Sequence, residues 1–154
     1  MSENENDTTT AFLRAEKTAL RLIARAEQCT NGLARKLEKR GFDSACIGEI
    51  ITKLTELKLL DDHRFACFWL RSRLRLTRSP RQLLSSLCAR GIDRDDAETA
   101  FKTVLDQDTE LALIKRYIKK YARKIRGKDR LSIKYFLKGE GFSANVIQQF
   151  LDEE

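Results

Sequence analysis

The chain has 154 residues, 34% of them charged and 42% hydrophobic, with one proline, seven glycines and a net charge of +7. That length fits one ordinary domain, and the scarcity of turn residues excludes a strand-rich sandwich and favours helices. No run of about 18 apolar residues exists, so no membrane-spanning helix is expected.

Residues 1–10 are polar and poor in apolar side chains, which predicts a disordered acidic tail. No secretory signal pattern opens the chain, so a cytoplasmic location is expected. Beyond the tail the pattern is helical throughout, with no convincing period-two alternation. Ala19, Leu22, Ile23 and Ala26 form one apolar helix face. Thr30 and Asn31 are candidate caps of a second helix, which stops at Gly41. Asp43 or Ser44 caps a third, with Ile47, Ile50, Ile51 and Leu54 as its buried stripe. A fourth runs from Asp61 to about Thr77. Ser79-Pro80 restarts the chain, with a cap and then proline in the first turn. This fifth helix stops at Gly91. Asp93 caps a sixth, with Asp96 as a weaker capping-box partner. Leu111, Ile114, Tyr117, Ile118, Tyr121 and Ile125 mark a seventh, broken at Gly127. An eighth covers Asp129 to Lys138, and Ser143 caps a ninth.

Nine helices fall into three sets of three, and the sequence repeats with them. Gly41, Gly91 and Gly141 are spaced by 50 residues. At the same offset lie Leu37, Leu87 and Leu137; Phe42, Ile92 and Phe142; Leu33, Leu83 and Ile133; Ile47, Ala97 and Ile147; and Ile51, Phe101 and Leu151. A short helix buries leucines one turn apart, glycine supplies a left-handed C-cap, and the next large apolar residue folds back. The expected architecture is all-α: three tandem three-helix repeats, about 50 residues each, in an elongated, curved array. The expected boundaries are 11–60, 61–107 and 108–154.

The charge points to an anionic partner. Without the six acids at the two ends, residues 8–151 carry +13. From residue 63 to residue 92 there is no acid. That stretch, following Asp62, holds Arg64, Arg71, Arg73, Arg75, Arg78, Arg81 and Arg90, together with Phe68. Continued as one helix, it puts Arg64, Arg71, Arg75 and Arg78 on one face, with Phe68 among them. A second cluster, from residue 115 to 138, includes Lys115, Arg116, Lys119, Lys120, Arg123 and Lys124, with Asp129 its only acid. A merely solvated face interleaves both signs. These faces are one-sided, as nucleic acid or an acidic protein would require. Trp69, Phe68 and the tyrosines could stack on bases, although aromatics at helical spacing are more often core.

Catalysis and metal binding have no sequence support. The sole histidine, His63, has no matched nucleophile. Cys29, Cys46, Cys67 and Cys88 form no metal-ligand pair and read as reduced, mostly buried side chains. No phosphate-cradling glycine loop is present, so neither metal nor cofactor is expected.

The run Leu60-Asp61-Asp62-His63-Arg64-Phe65-Ala66 resembles the L-D-D-x-R-F-A signature of the bacterial RecX family. Leu33 to Phe42, Leu83 to Ile92 and Tyr135 to Phe142 resemble that family's three repeats, so the resemblance covers about residues 19–152. Two segments depart from the pattern. Ser79-Pro80-Arg81 stands where many members have a glycine-containing basic turn, and Lys138-Gly139-Glu140 where basic residues are usual. The resemblance implies a mainly structural role for the signature residues Leu60, Asp61, Asp62, Arg64, Phe65 and Ala66. It also implies a non-enzymatic regulator that binds the RecA recombinase and the RecA–single-stranded-DNA filament. Such a regulator limits filament extension and so lowers ATPase, strand-exchange and SOS coprotease activities. Free DNA is left open as a further partner, and a monomer is expected because no heptad seam demands a dimer. The alternative is a sequence-nonspecific DNA-binding helical protein acting without RecA.

Overall fold

A computed structural model describes residues 2–154, with side chains from residue 3. Among them the order is α1 (Ser2–Arg25), α2 (Thr30–Lys39), α3 (Ser44–Glu56), α4 (Asp62–Arg73), a 3-10 turn (Leu74–Leu76), α5 (Pro80–Ala89), α6 (Arg94–Val104), α7 (Gln107–Lys120), α8 (Ala122–Ile125), α9 (Arg130–Gly139) and α10 (Ala144–Glu153). No strand forms among the described residues. Among the described residues, no helix is long and apolar enough to cross a membrane either.

The glycine motif recurs as the sequence predicts. Gly41, Gly91 and Gly141 take φ of +88°, +85° and +90°, the region that side chains with a Cβ avoid. After α2, the Phe42 N–H donates to the Leu37 carbonyl and the Gly41 N–H to that of Glu38. After α9, Phe142 and Gly141 donate to Leu137 and Lys138 in the same way. This is the Schellman pairing, which satisfies carbonyls left open by the helix end. The three aligned leucines, Leu37, Leu87 and Leu137, are fully buried.

The chain packs as two compact units. The first runs through Phe65 and includes the Arg90–Ile92 loop. Its core joins α1, α2 and α3 through Ala15, Ala19, Leu33, Leu37, Ile47, Ile50, Leu54 and Leu60. The second holds residues 66–89 and 93–154. Leu111, Leu113, Ile114 and Tyr117 of α7 meet Leu137 of α9, Phe142, and Val146, Ile147, Phe150 and Leu151 of α10. Tyr117 centres this core: its ring lies 5.5 Å from Phe142, edge-on, and 4.5 Å from Tyr121. Its hydroxyl donates to Glu140 Oε2 at 3.0 Å. Burial, and then that bond to Glu140, push its pKa up.

Several expectations are corrected. Residues 2–10 are not a disordered tail but extend α1. The Thr8, Thr9 and Thr10 hydroxyls donate to the carbonyls of Asn4, Glu5 and Asn6, and Glu3 and Glu5 lie at the positive end of the helix dipole. The fourth helix ends at Arg73 rather than Thr77; a 3-10 turn follows, and Thr77 adopts the left-handed conformation, φ 43° and ψ 63°. The seventh ends at Lys120, and α8 is a separate short turn. Neither Thr30 nor Asn31 caps α2. Cys29 occupies the cap position without a side-chain bond, and Asp62 Oδ1 accepts the Thr30 N–H at 2.8 Å. Asp93 and Ser143 likewise make no side-chain cap bond; the Ser143 N–H and hydroxyl both donate to Glu110.

Candidate partner-binding surface

The second unit carries most of the predicted contact residues. The C-terminal half of α4 turns Trp69 and Leu70 inward and leaves Arg71 exposed, with Phe68 60% exposed beside it. Arg75 and Arg78 are exposed too, but they do not continue the α4 face. Arg75 sits in the 3-10 turn, and Arg78 follows the left-handed Thr77.

Two predicted contact residues hold this turn. Arg116 Nη2 donates to the Leu74 carbonyl at 2.9 Å and Lys120 Nζ to that of Thr77 at 3.3 Å. A β-branched residue at positive φ is costly unless its surroundings fix it, and these two cations do so. Arg116 and Lys120 therefore build the ledge that presents Arg75 and Arg78.

Downstream, Ser79 is buried and forms a complete capping box with Gln82. The Gln82 N–H donates to Ser79 Oγ, and the Ser79 N–H to Gln82 Oε1. The Arg81 N–H donates to the Glu140 carbonyl at 3.0 Å, which ties the start of α5 to the loop after α9 and leaves the guanidinium exposed. On α7, Lys115 pairs with Glu153 at 2.7 Å. Lys119 and Arg123 are exposed. The Lys120 and Lys124 ammonium groups lie 5.5 and 5.2 Å from the centroid of the Tyr121 ring.

Arg64 belongs to the first unit. It pairs with Glu27 at 2.7 Å and donates to the carbonyls of Lys58 and Leu59. The bond to Glu27 pushes its pKa further up. Its neighbours in the L-D-D-x-R-F-A run also meet the protein's own groups. Leu60 and Ala66 are buried, Asp61 Oδ1 accepts the Arg64 N–H to cap α4, and Asp62 serves α2.

An open groove of about 880 Å³ lies in the first unit, lined by Ala34, Phe42, Ile47 and Ile51 together with Glu38 and Asp62. No group of three or more His, Cys, Asp or Glu side chains among the described residues could hold a metal ion. Sequence reasoning counted the tyrosines among possible stacking residues without singling out Tyr135, and it missed Leu131; on α9 they are 65% and 56% exposed. Their i, i+4 spacing beside Arg130, Lys134 and Lys138 was the available signal.

Residues 61–100 match the family model described as RecX, second three-helix domain. The Regulatory protein RecX of Treponema pallidum (strain Nichols) is 35% identical over 141 residues, covering 91% of this chain and 85% of that protein. That of Chlorobium phaeobacteroides (strain BS1) is 30% identical over 145 residues, covering 91% and 93%. The crystal structure of RecX from Lactobacillus salivarius superposes with a TM-score of 0.72 at 23% identity, covering 94% of this chain and 97% of that one. A second crystal structure, of regulatory protein RecX, gives 0.76 at 20%, covering 95% and 74%. At those identities the structures share the fold, and the sequence relatives establish the kinship: the chain belongs to the RecX family of regulatory proteins.

Proposed function

We propose that this protein binds the RecA recombinase and its filament on single-stranded DNA in the cytoplasm and restrains filament extension. ATP turnover, strand exchange and SOS coprotease activity fall as a consequence, and the protein performs no chemistry of its own. Membership of the RecX family supports the role. The observation that carries the contact is the acid-free run between Asp62 and Asp93, which displays Arg71, Arg75 and Arg78 at the surface. Exposed guanidinium groups pair with carboxylates or phosphates through charge-assisted, often bidentate, hydrogen bonds. To inhibit, the protein must bind a non-extending filament state more tightly than the active one, because equal affinity for both shifts nothing.

Charge reversal tests the contact. Arg71→Glu, Arg75→Glu and Arg78→Glu combined should lower co-sedimentation with RecA filaments at least tenfold and abolish inhibition. The three side chains are exposed, so the variant should keep the helical circular dichroism of the parent. Undiminished co-sedimentation and inhibition would remove this surface from the proposal.

A further inference from the structure

The α9 face has a composition that neither packing nor the arginine surface accounts for. Its two consecutive aromatics divide. Phe136 turns inward and stacks on Tyr117 at 6.1 Å between centroids. Tyr135 points out, 65% exposed, with Leu131 one turn before it at 56%. An adjacent pair of large apolar side chains in water is the kind of patch that marks a binding surface, unlike a single exposed leucine.

The setting of this pair is cationic. Lys134 is half-buried beside it and Lys138 is exposed one turn beyond Tyr135. Helical side chains lean toward the N-terminus, so Lys138 lies over the turn that carries the tyrosine. The only acid in the stretch from Lys115 to Lys138 is Asp129. Its carboxylate is occupied as a helix cap, accepting the Ser132 N–H at 2.8 Å. Nothing in that stretch therefore neutralises Lys134 and Lys138.

A flat, uncovered ring with an aliphatic neighbour, flanked by unneutralised ammonium groups, matches single-stranded nucleic acid. Its bases expose π-faces and its backbone carries regularly spaced charge. Duplex DNA hides those faces in its stack. An acidic protein would meet the lysines but has no requirement for a ring. We infer that the Leu131–Tyr135 face of α9 is a single-strand-binding site, in which Tyr135 stacks on a base and Lys134 and Lys138 contact flanking phosphates. This site is built on α9 rather than on the Arg71–Arg78 segment, and its test contains no RecA.

The experiment measures fluorescence anisotropy of a labelled oligothymidylate of about 16 nucleotides, a site size typical of single-strand binders. The full chain is compared with Tyr135→Ala, Tyr135→Phe and the Lys134→Gln/Lys138→Gln pair. Tyr135→Ala should weaken binding roughly 5- to 100-fold, the range for one lost stacked base, while Tyr135→Phe should bind nearly as the parent does. The lysine pair should flatten the plot of log affinity against log salt by about 1.4, that is, about 0.7 for each phosphate contact on a single strand. A labelled duplex of the same length should bind more weakly. Because Tyr135 is exposed, each variant should stay folded, and Tyr135→Trp gives a second reading through quenching on base contact. Unchanged affinity in Tyr135→Ala, equal loss in Tyr135→Phe, or a duplex bound as tightly as the single strand would overturn the inference. If heparin displaces the strand equally from parent and Tyr135→Ala, the face is a polyanion surface without base contact, and the inference fails.

Discussion

Asp62 illustrates what a single side chain does in this fold. Its carboxylate lies 2.8 Å from the Thr30 N–H and closes the start of α2, a helix with no cap of its own. The neighbouring Asp61 is a local cap whose role follows from position alone, since its partner, the Arg64 N–H, is three residues away. Asp62 was not legible in that way, because its partner is 32 residues earlier in the chain. Removing a cap acceptor costs about 1 kcal/mol. Asp62→Ala should therefore lower Tm by roughly 2–4 °C, as expected for that loss in a chain this size, whereas Asp62→Asn should restore most of it. Differential scanning calorimetry of both variants distinguishes this capping role. If Asp62→Ala melts with the parent, Asp62 does not cap α2. Arg64 shows the same limit of sequence reading. Its place among the arginines suggested a partner contact; its pairing with Glu27 and two carbonyls could not be read from that place.

At the scale of elements, the helix stops were legible and one break was not. Glycine at a fixed offset marks the ends of α2, α5 and α9, and all three glycines take the positive φ that the motif requires. The end of α4 carries no glycine or proline. It is set from outside, by Arg116 and Lys120 binding the Leu74 and Thr77 carbonyls from α7, so periodicity ran on through it. Tertiary hydrogen bonds of this kind have no local sequence signal. The glycines themselves differ in their surroundings. A Cβ on Gly41 would meet open space, while one on Gly91 would come within 2.0 Å of Asn31 Nδ2 and 2.7 Å of Asn31 Cβ. Gly41→Ala should cost about 1–2 kcal/mol, from backbone conformation alone. Gly91→Ala should cost measurably more, and Asn31→Gly in the same chain should recover the difference. Equal urea midpoints for the two alanine variants would contradict the crowding seen at Gly91.

Charge distinguishes the two units at the scale of the whole molecule. The first holds 12 basic and 11 acidic residues, the second 18 and 12, so nearly all the net positive charge belongs to the second. The composition showed the excess, and the run between Asp62 and Asp93 showed roughly where it lies. It did not show which cations are committed inside the protein: Lys115 to Glu153, and Arg116 and Lys120 to backbone carbonyls. Of the contact residues expected from the sequence, those exposed and not paired with a carboxylate or carbonyl are Arg71, Arg75, Arg78, Arg81, Lys119, Arg123 and Lys124, together with Phe68. Surface cations of this kind govern encounter rate and specificity with an anionic partner, and their effect weakens with salt. The measurement that tests the central claim most directly is RecA's single-strand-dependent ATPase with this protein titrated in, with and without excess competitor DNA. A direct filament regulator predicts inhibition well below one molecule per RecA, unaffected by the competitor. Inhibition that begins only when the protein suffices to coat the strand, and that the competitor erases, would contradict the account and make this a DNA-binding protein that blocks RecA by occupying its substrate.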